Sequence, residues 1–446
     1  MEKKKFTEYD MRDDFTFPVY VGYGLIEQGG IEDIDPSQQI PGELTRRNGE
    51  TYLELADNPR KNGYRSAGII RNGEDRVSSE KDGHTWYART WDGAILFVIH
   101  KYFKVASHSL HAYNHFSNET SRWLINDYSM SSQYMLASGV YQARLYLDHI
   151  YSWFALFKPE QELETIPPLI FSNLQFEGKT FSLMVGAEGK EKHKLHSFER
   201  TAHTFIKISF EETQTRGFIY RLAVVIRNFF QILIGKAIGI SRIILNQNKS
   251  FNPKTKIMVP EDERENWFLD QSFLPQTIVE KIDQSDFPYR RISEKFDSIL
   301  KKYLADVKLQ NLVSTYLTVN QFQIPVNTQI ITLVSGIESY CIDLKYPSNR
   351  KPIKKAIEKL QHFFGLLDNL DELAQHVIEG RKVDVQLLLQ DMIDSRDYIV
   401  HGEKAEKARS EIELVPDLMV FKNLMRKVIA KIILTTVDKN GSCCAD

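Results

Sequence analysis

The spacing of apolar residues changes along this chain, and that change limits the folds open to it. From about residue 15 to 215, short β-branched and aromatic runs alternate with turn signals such as Arg47–Gly49 and Glu177–Gly178. Beyond residue 290 the apolar residues recur at spacings of three and four, which indicates helices. One core rarely organises 446 residues, so we predict an α+β multidomain protein.

The first domain is predicted to be β-rich, antiparallel and sandwich-like, and to span residues 1–285. Its clearest strands are Ile95–Val105 and Leu169–Val185. We also expect a helix near residues 216–236 and a boundary region at 247–288, where several prolines interrupt the pattern.

The most apolar stretch of the chain, from Phe218 to Ile240, contains three cations: Arg221, Arg227 and Lys236. A membrane-spanning helix would bury them at a high free-energy cost. We therefore predict a buried amphipathic helix and no membrane association. The first residues include no apolar run, so we expect no secretory signal.

The second domain is predicted to be an all-α bundle over residues 290–438, followed by a flexible tail at 439–446. Pro325, Pro352 and Pro416 each stand where a first helical turn would begin, a position that tolerates a missing amide hydrogen. Five or more helices fit this length.

The charge balance and the cysteines restrict the function classes. The 57 Lys and Arg residues nearly cancel the 59 Asp and Glu residues, so any contact with RNA must be local. The three cysteines, Cys341, Cys443 and Cys444, are too few for a disulfide framework or a cysteine-based zinc site. This usage favours a reducing, cytoplasmic location.

A histidine cluster, made of His100, His108, His111 and His115, is the main candidate for a metal site. The last two have the i, i+4 spacing of a helical metal pair. However, the surroundings indicate strand and loop, and no nearby cysteine or metalloenzyme signature supports a site. The chain also has no G-x-x-x-x-G-K-[ST] phosphate loop. We expect neither a metal nor a cofactor, and what this cluster binds stays open.

A predicted helix at residues 385–400 carries the strongest candidate for chemistry. Its apolar residues form one stripe, made of Val385, Leu388, Leu389, Met392, Ile399 and Val400. Arg396 falls in the middle of that stripe. A guanidinium inside a bundle must be paired, so Arg396 either meets a carboxylate or lies at an interface that receives an anion.

His401 follows Arg396 by five residues, which places the two side chains roughly 140° apart around a regular helix. One helix therefore cannot aim both at a single phosphate. Asp397 shares the face of His401, where it can hydrogen-bond the imidazole or remain a solvated surface residue. Gly402 predicts a helix end directly after His401, and two protomers packed together there would complete the site.

The segment Arg396–Gly402 resembles the R-x4-6-H signature of the HEPN superfamily, and Gly336–Tyr340 resembles the first long helix of its Apea-like branch. Three further segments resemble the opening strands of the ApeA N-terminal domain of prokaryotic antiphage proteins: Pro41–Thr45, Arg47–Gly49 and Tyr52–Leu55. The resemblance implies an antiphage, abortive-infection-like ribonuclease. It implies a homodimer formed through the helical domain, RNA such as tRNA as substrate, and a phage-encoded trigger.

The resemblance also suggests a role for each residue. RNA carries its own nucleophile, the 2′-hydroxyl, so cleavage needs no metal and leaves a 2′,3′-cyclic phosphate. His401 is expected to act as general base or acid, and Arg396 to hold the phosphate and stabilise the transition state. Asp397 would orient His401. Glu338 borders the apolar stripe of its own helix, where it either pairs with Arg396 or stays in water at the rim.

The Arg-x4-His pattern is not specific by itself. Arg144 and His149 also fit it, but they lie in a strand-like region, where residues five apart point to opposite faces. If Arg396 is only a structural ion-pair residue and His401 only favours the helix dipole, the site is silent. The chain would then be a sensor or binding module for a phage protein, RNA or small ligand. A third alternative is the toxin half of a toxin–antitoxin pair.

Overall fold

A computed structural model describes most of the chain: residues 4–28, 31–57, 85–112, 116–134, 139–155, 167–194, 197–247, 264–271, 274, 287–346, 350–375, 377, 383–402 and 409–435. Strands dominate up to residue 269, and helices dominate from residue 289. The prediction of a β-rich region followed by a helical region is therefore confirmed. The domain boundaries at 285 and 290 stay predictions, and the tail predicted at 439–446 lies outside the described residues.

The strands of the β-rich region are β1 (Phe15–Gly22), β2 (Leu25–Gln28), β3 (Ile31–Ile34), β4 (Ile40–Arg47), β5 (Glu50–Leu55), β6 (Trp86–Thr90), β7 (Leu96–Ala112), β8 (Phe116–Ser131), β9 (Val140–Leu147), β10 (Leu169–Phe176), β11 (Lys179–Lys194), β12 (Ser197–Gln214), β13 (Ile240–Asn246) and β14 (Arg264–Leu269). The helices are α1 (Ile150–Phe154), α2 (Arg216–Ile234), α3 (Tyr289–Ile292), α4 (Phe296–Ala305), α5 (Val307–Gln321), α6 (Val326–Tyr340), α7 (Ala356–Phe364), α8 (Leu370–Gln375), α9 (Val385–His401) and α10 (Glu411–Leu434).

The large sheet closes on itself at one end, which corrects the predicted sandwich. Its strand order is β10-β11-β12-β9-β13-β14-β8-β5-β4-β1-β6-β7, and β7 also pairs with β8. Within the described residues, six strands from β8 to β7 thus form an antiparallel barrel, and the other strands of this order extend it as a sheet. Closure of a sheet satisfies the backbone groups that edge strands would leave unpaired.

The long strand β8 joins the barrel to the extension. Along one edge, β8 pairs with β7 over its whole length. Along its other edge, Ser121–Ile125 pairs with β5 and Asp127–Met130 pairs with β14. A strand of 16 residues is long enough to serve both partners. The β-rich region therefore contains one continuous sheet instead of two facing sheets, and β8 belongs both to the barrel and to the extension.

Helix α2 lies in the core, as predicted. It is long and apolar enough to cross a membrane by length and composition, but 72% of its most apolar window is buried inside the protein. Thr215 caps its start by accepting a hydrogen bond from the Phe218 amide, and Gly235, with φ of 76°, ends it. The helix packs against β9 on the sheet side and against α5 and α10 on the helical side.

Aromatic side chains of α2 continue the core from the sheet into the helices. Phe230 lies 5.3 Å from Trp153, and Phe229 lies 5.1 Å from Tyr303, measured between ring centroids. Each phenylalanine is almost completely buried, and such burial contributes about 1.5–3 kcal/mol per side chain. The helical region is therefore packed directly onto the β-rich region through α2.

Candidate active site at the end of helix α9

Helix α9 begins where its sequence predicts and ends within one residue of the predicted position. Its first turn is capped by Asp384, whose carboxylate accepts a hydrogen bond from the Leu387 amide at 3.1 Å. The helix continues through His401, one residue beyond the predicted end. Gly402 then adopts a φ of 71°, and its amide donates to the Tyr398 carbonyl at 2.8 Å. The predicted glycine cap is confirmed.

The last turn of α9 leaves the core. Val385, Leu388, Leu389 and Met392 are buried as predicted. Val400, which was predicted to belong to the same stripe, is 49% exposed, and Ile399 is only partly buried. The candidate residues therefore lie at the border between core and solvent.

Arg396 is fixed at this border by two carboxylates. Its Nη2 donates to Oε2 of Glu338 on α6 at 2.5 Å, and its Nη1 donates to Oδ1 of Asp397 at 2.8 Å. The three side chains are only about one-fifth exposed. The sequence left Glu338 either paired with Arg396 or in water at the rim, and the structure shows the ion pair. Arg396 thus links α6 to α9 through charge-assisted hydrogen bonds.

His401 is exposed and stands on the last helical position of α9. The helix is regular as far as this residue, so the angle of roughly 140° between His401 and Arg396 remains. Asp397 contacts Arg396, and its predicted role in orienting His401 stays a prediction. Within one chain, Arg396 therefore lies on the side of α9 that packs against α6, whereas His401 lies in solvent on a different side of the helix.

A second arginine that bridges two carboxylates, Arg409, was not predicted from the sequence. The Nη1 of Arg409 lies 2.7 Å from Oδ2 of Asp391 on α9 and 2.6 Å from Oδ2 of Asp417 on α10. Ser410 and Glu413 form a capping box at the start of α10. The spacing Ser-x-x-Glu before an apolar run is a signal for this helix start. The start of α10 is therefore bound to α9 near the candidate site.

An apolar face in the first turns of α10, directly after Arg409, is exposed. Ile412, Val415 and Met419 recur at spacings of three and four, and they are 85%, 42% and 56% exposed. Tyr398 of α9 is 42% exposed. A row of this kind is typical of surfaces that another protein covers.

The other Arg-x4-His match is used for structure. Arg144 lies in β9, and its Nη1 pairs with Oε2 of Glu188 at 2.8 Å. His149 follows the strand at the start of α1, with a left-handed φ of 64°. These two residues belong to different elements, and Arg144 is held in an ion pair with Glu188. They therefore do not form a second candidate site.

The histidine cluster is described only in part. His100 lies in β7, and burial, with help from Arg216 and Lys101, lowers its pKa to about 3. The side chains of His108 and His111, and all of His115, lie outside the described residues. In the described part of the chain, no group of three His, Cys, Asp or Glu residues is placed to hold a metal ion.

Acidification is expected to destabilise the protein through His100. The unfolded imidazole takes up a proton near its usual pKa of 6.5, whereas the buried one stays neutral down to about pH 3. The stability that depends on neutral His100 is therefore lost as pH falls through 6.5. From pH 7 to 5 this loss amounts to about 1–2 kcal/mol. Urea unfolding at both pH values measures it.

The variant His100→Gln cannot be protonated and should lose that part of the pH dependence. His362→Gln is the matched control, because His362 is exposed and should leave the pH dependence unchanged. A His100→Gln protein that still loses as much stability as the wild type between pH 7 and 5 would contradict the prediction.

Comparison with known proteins gives one match. Residues 144–303 match the family described as ApeA N-terminal domain 1. The match begins in β9 and ends in α4, so it includes α2 but neither Pro41–Leu55 nor α9. No curated protein and no solved structure matches the chain. The match supports an ApeA-like protein and does not extend to the candidate site.

Proposed function

We propose that this protein is a metal-independent endoribonuclease of the HEPN type that acts in antiphage defence. One observation carries the proposal: Arg396 is anchored by two carboxylates where α9 leaves the core, while His401 is exposed at the capped end of the same helix. The match to ApeA N-terminal domain 1 supports the defence role. The substrate is RNA of the host or the phage, and a phage-encoded factor is the trigger.

The chemistry requires one proton acceptor, one proton donor and a group that stabilises charge. His401 takes the proton from the 2′-hydroxyl, whose oxygen attacks the adjacent phosphorus. The bond from phosphorus to the 5′-oxygen breaks, and that oxygen is protonated by a second imidazole or by water. Arg396 stabilises the charge on the phosphoryl oxygens. The products are a 2′,3′-cyclic phosphate and a 5′-hydroxyl.

The two carboxylates affect how Arg396 binds a phosphate. Its contacts with Glu338 and Asp397 use two of its five N–H donors and fix the plane of the fork. However, the three ionised groups carry a combined charge of −1, which opposes an incoming phosphate. A second protomer that brings its own cation or histidine to the phosphate would offset this repulsion. The local charge and the angle between Arg396 and His401 thus both favour a dimeric site.

The exposed face of α10 is the proposed surface for this dimer. Met419→Glu places a charge in the middle of that face, and a buried unpaired carboxylate strongly opposes association. We expect the wild type to run as a dimer in size-exclusion chromatography with light scattering. The variant should run as a folded monomer and lose RNA cleavage, because Met419 is 56% exposed in the single chain.

Val307→Glu is the control for that experiment, because Val307 is 64% exposed at the start of α5 and lies outside the proposed surface. It should leave both the dimer and the cleavage unchanged. A Met419→Glu protein that remains dimeric would remove the α10 face from the proposal.

The test of the activity is incubation of the purified protein with total RNA in EDTA, followed by analysis of the product ends. Cleavage that persists in EDTA and gives 2′,3′-cyclic phosphate ends supports the proposal. Cleavage that stops in EDTA, or gives 3′-hydroxyl ends, contradicts the mechanism. RNA from phage-infected cells, added with an infected-cell extract, tests whether a trigger is needed.

A silent binding module is the alternative that the geometry also permits. The contact of Arg396 with Glu338 would then serve only to join α6 to α9. Variants of Arg396 would change the melting temperature without any effect on RNA. The toxin half of a toxin–antitoxin pair would instead copurify with a small partner protein.

A further inference from the structure

A cavity of about 490 Å³, open to solvent, lies at the C-terminal end of α10. Its walls are mainly apolar and include Phe287, Leu367, Leu373 and Leu434. Its polar lining consists of Lys427 and Lys431 of α10, Thr435 and the carboxylate of Asp368. This volume falls in the range of about 300–1,000 Å³ that is usual for small-molecule sites.

The cavity is separate from the candidate active site. Asp417, which marks the active-site end of α10 through its contact with Arg409, precedes Lys427 by ten residues and Lys431 by fourteen. At about 1.5 Å per residue, these positions lie roughly 15–21 Å apart along the helix. A ligand in the cavity would therefore not occupy the RNA site.

The two lysines differ in their partners. Lys431 pairs with Oδ2 of Asp368 at 2.6 Å, and that hydrogen bond lowers the pKa of Asp368. Lys427 stands one turn earlier on the same face and is half-buried. In the described residues Lys427 makes no hydrogen bond or ion pair. Its ammonium group is therefore available to an anion that enters the cavity.

A helix C-terminus normally repels anions, because its free carbonyl groups carry a partial negative charge. Here Lys302 of α4 neutralises that end. Its Nζ donates to the carbonyl oxygens of Ile432 at 2.8 Å and of Thr435 at 2.6 Å. The end of α10 that lines the cavity is therefore compatible with an anionic ligand.

One wall residue of the cavity, Phe287, is hydrogen-bonded to the β-rich region. The carbonyl of Phe287 accepts a hydrogen bond from Nε1 of Trp153 at 2.9 Å, and Trp153 belongs to α1. Trp153 in turn packs against Phe230 of α2. A ligand against Phe287 and Lys427 would therefore contact the last helix and a residue whose carbonyl is hydrogen-bonded to α1.

From these features we propose that the cavity binds a small amphiphilic anion, with one carboxylate or phosphate group on Lys427 and an apolar body between the leucines and Phe287. Lys427 supplies the charge-assisted hydrogen bond, and the walls supply the area that is removed from water. This proposal is independent of the ribonuclease activity.

The probe is 2-naphthoate, titrated into the full-length protein by isothermal titration calorimetry. Neutral 2-naphthamide, which has nearly the same shape, is titrated as the control ligand. We expect saturable binding of one naphthoate per chain and at least a tenfold weaker response to naphthamide. Lys427→Met should weaken naphthoate binding at least tenfold, and Lys427→Arg should retain it. Leu373→Asp places a carboxylate in the wall and should abolish binding.

Lys355→Met is the control, because the side chain of Lys355 is 75% exposed on another helix end and should leave the affinity unchanged. Thermal unfolding of each variant verifies that it is folded. The proposal is overturned if naphthoate does not bind at millimolar concentration, if naphthamide binds equally well, or if folded Lys427→Met binds like the wild type.

Discussion

Replacing His401 by alanine is expected to reduce RNA cleavage by about 10²–10⁴-fold, the usual contribution of a general acid or base. The protein should remain as stable as the wild type within about 0.5 kcal/mol, because the His401 side chain is exposed and makes no hydrogen bond or ion pair with the residues that the structure describes. Single-turnover cleavage of a labelled RNA in EDTA measures the first quantity. Thermal unfolding measures the second.

The chain offers a matched control for this variant. His362 is also an exposed histidine in the last turn of a helix of the same region, at the end of α7. Its favourable interaction with a helix dipole is comparable, so His362→Ala reproduces any loss of that interaction. If both alanine variants cleave RNA at the wild-type rate, His401 has no part in catalysis.

The features of α9 could be predicted because they are local. The apolar stripe depends on a period of 3.6 residues, and Gly402 ends the helix because glycine adopts a positive φ without strain. Two of the prolines were poorer indicators of where a helix begins. Pro352 lies in an isolated β-bridge with Lys345, and Pro416 lies in the second turn of α10 rather than the first.

The barrel and the ion pairs of Arg396 and Arg409 depend on contacts between distant residues, and their sequence patterns are not distinctive. Alternating strands fit a sandwich as well as a barrel, and the pairing of β8 with β7, in addition to β5 and β14, decides between them. Glu338 and Arg396 are 58 residues apart. The period of each helix places them beside an apolar stripe, which allows the pair but does not decide between it and a solvated Glu338. Arg409 was missed because its partners lie on two different helices.

Arg396→Lys is expected to have the second largest effect on cleavage, a loss of about 10²–10³-fold in kcat. Lysine keeps the positive charge and can still pair with Glu338, but it cannot donate two parallel N–H bonds to a phosphate. Arg396→Ala should lose the same activity. In addition, it leaves Glu338 and Asp397 without their partner, at a cost of roughly 1–2 kcal/mol for these partly exposed carboxylates. Cleavage rates and urea unfolding of both variants test this.

Arg409→Lys separates catalysis from structure. Arg409 also bridges two carboxylates, Asp391 and Asp417, yet it has no role in the proposed chemistry. We expect it to lower stability by an amount similar to Arg396→Lys while kcat stays at the wild-type value. If Arg396→Lys is as active as Arg409→Lys, then Arg396 is a structural residue and the ribonuclease proposal fails.

A mixture of two inactive variants tests whether the site is shared between protomers. Suppose that the Arg396 of one chain works with the His401 of the other. A heterodimer of Arg396→Ala and His401→Ala chains then retains one intact site, since the two-fold interface pairs the remaining arginine with the remaining histidine. Random pairing of equal amounts should restore about one quarter of wild-type activity. A site formed within one chain restores none, because each chain lacks one of the two groups.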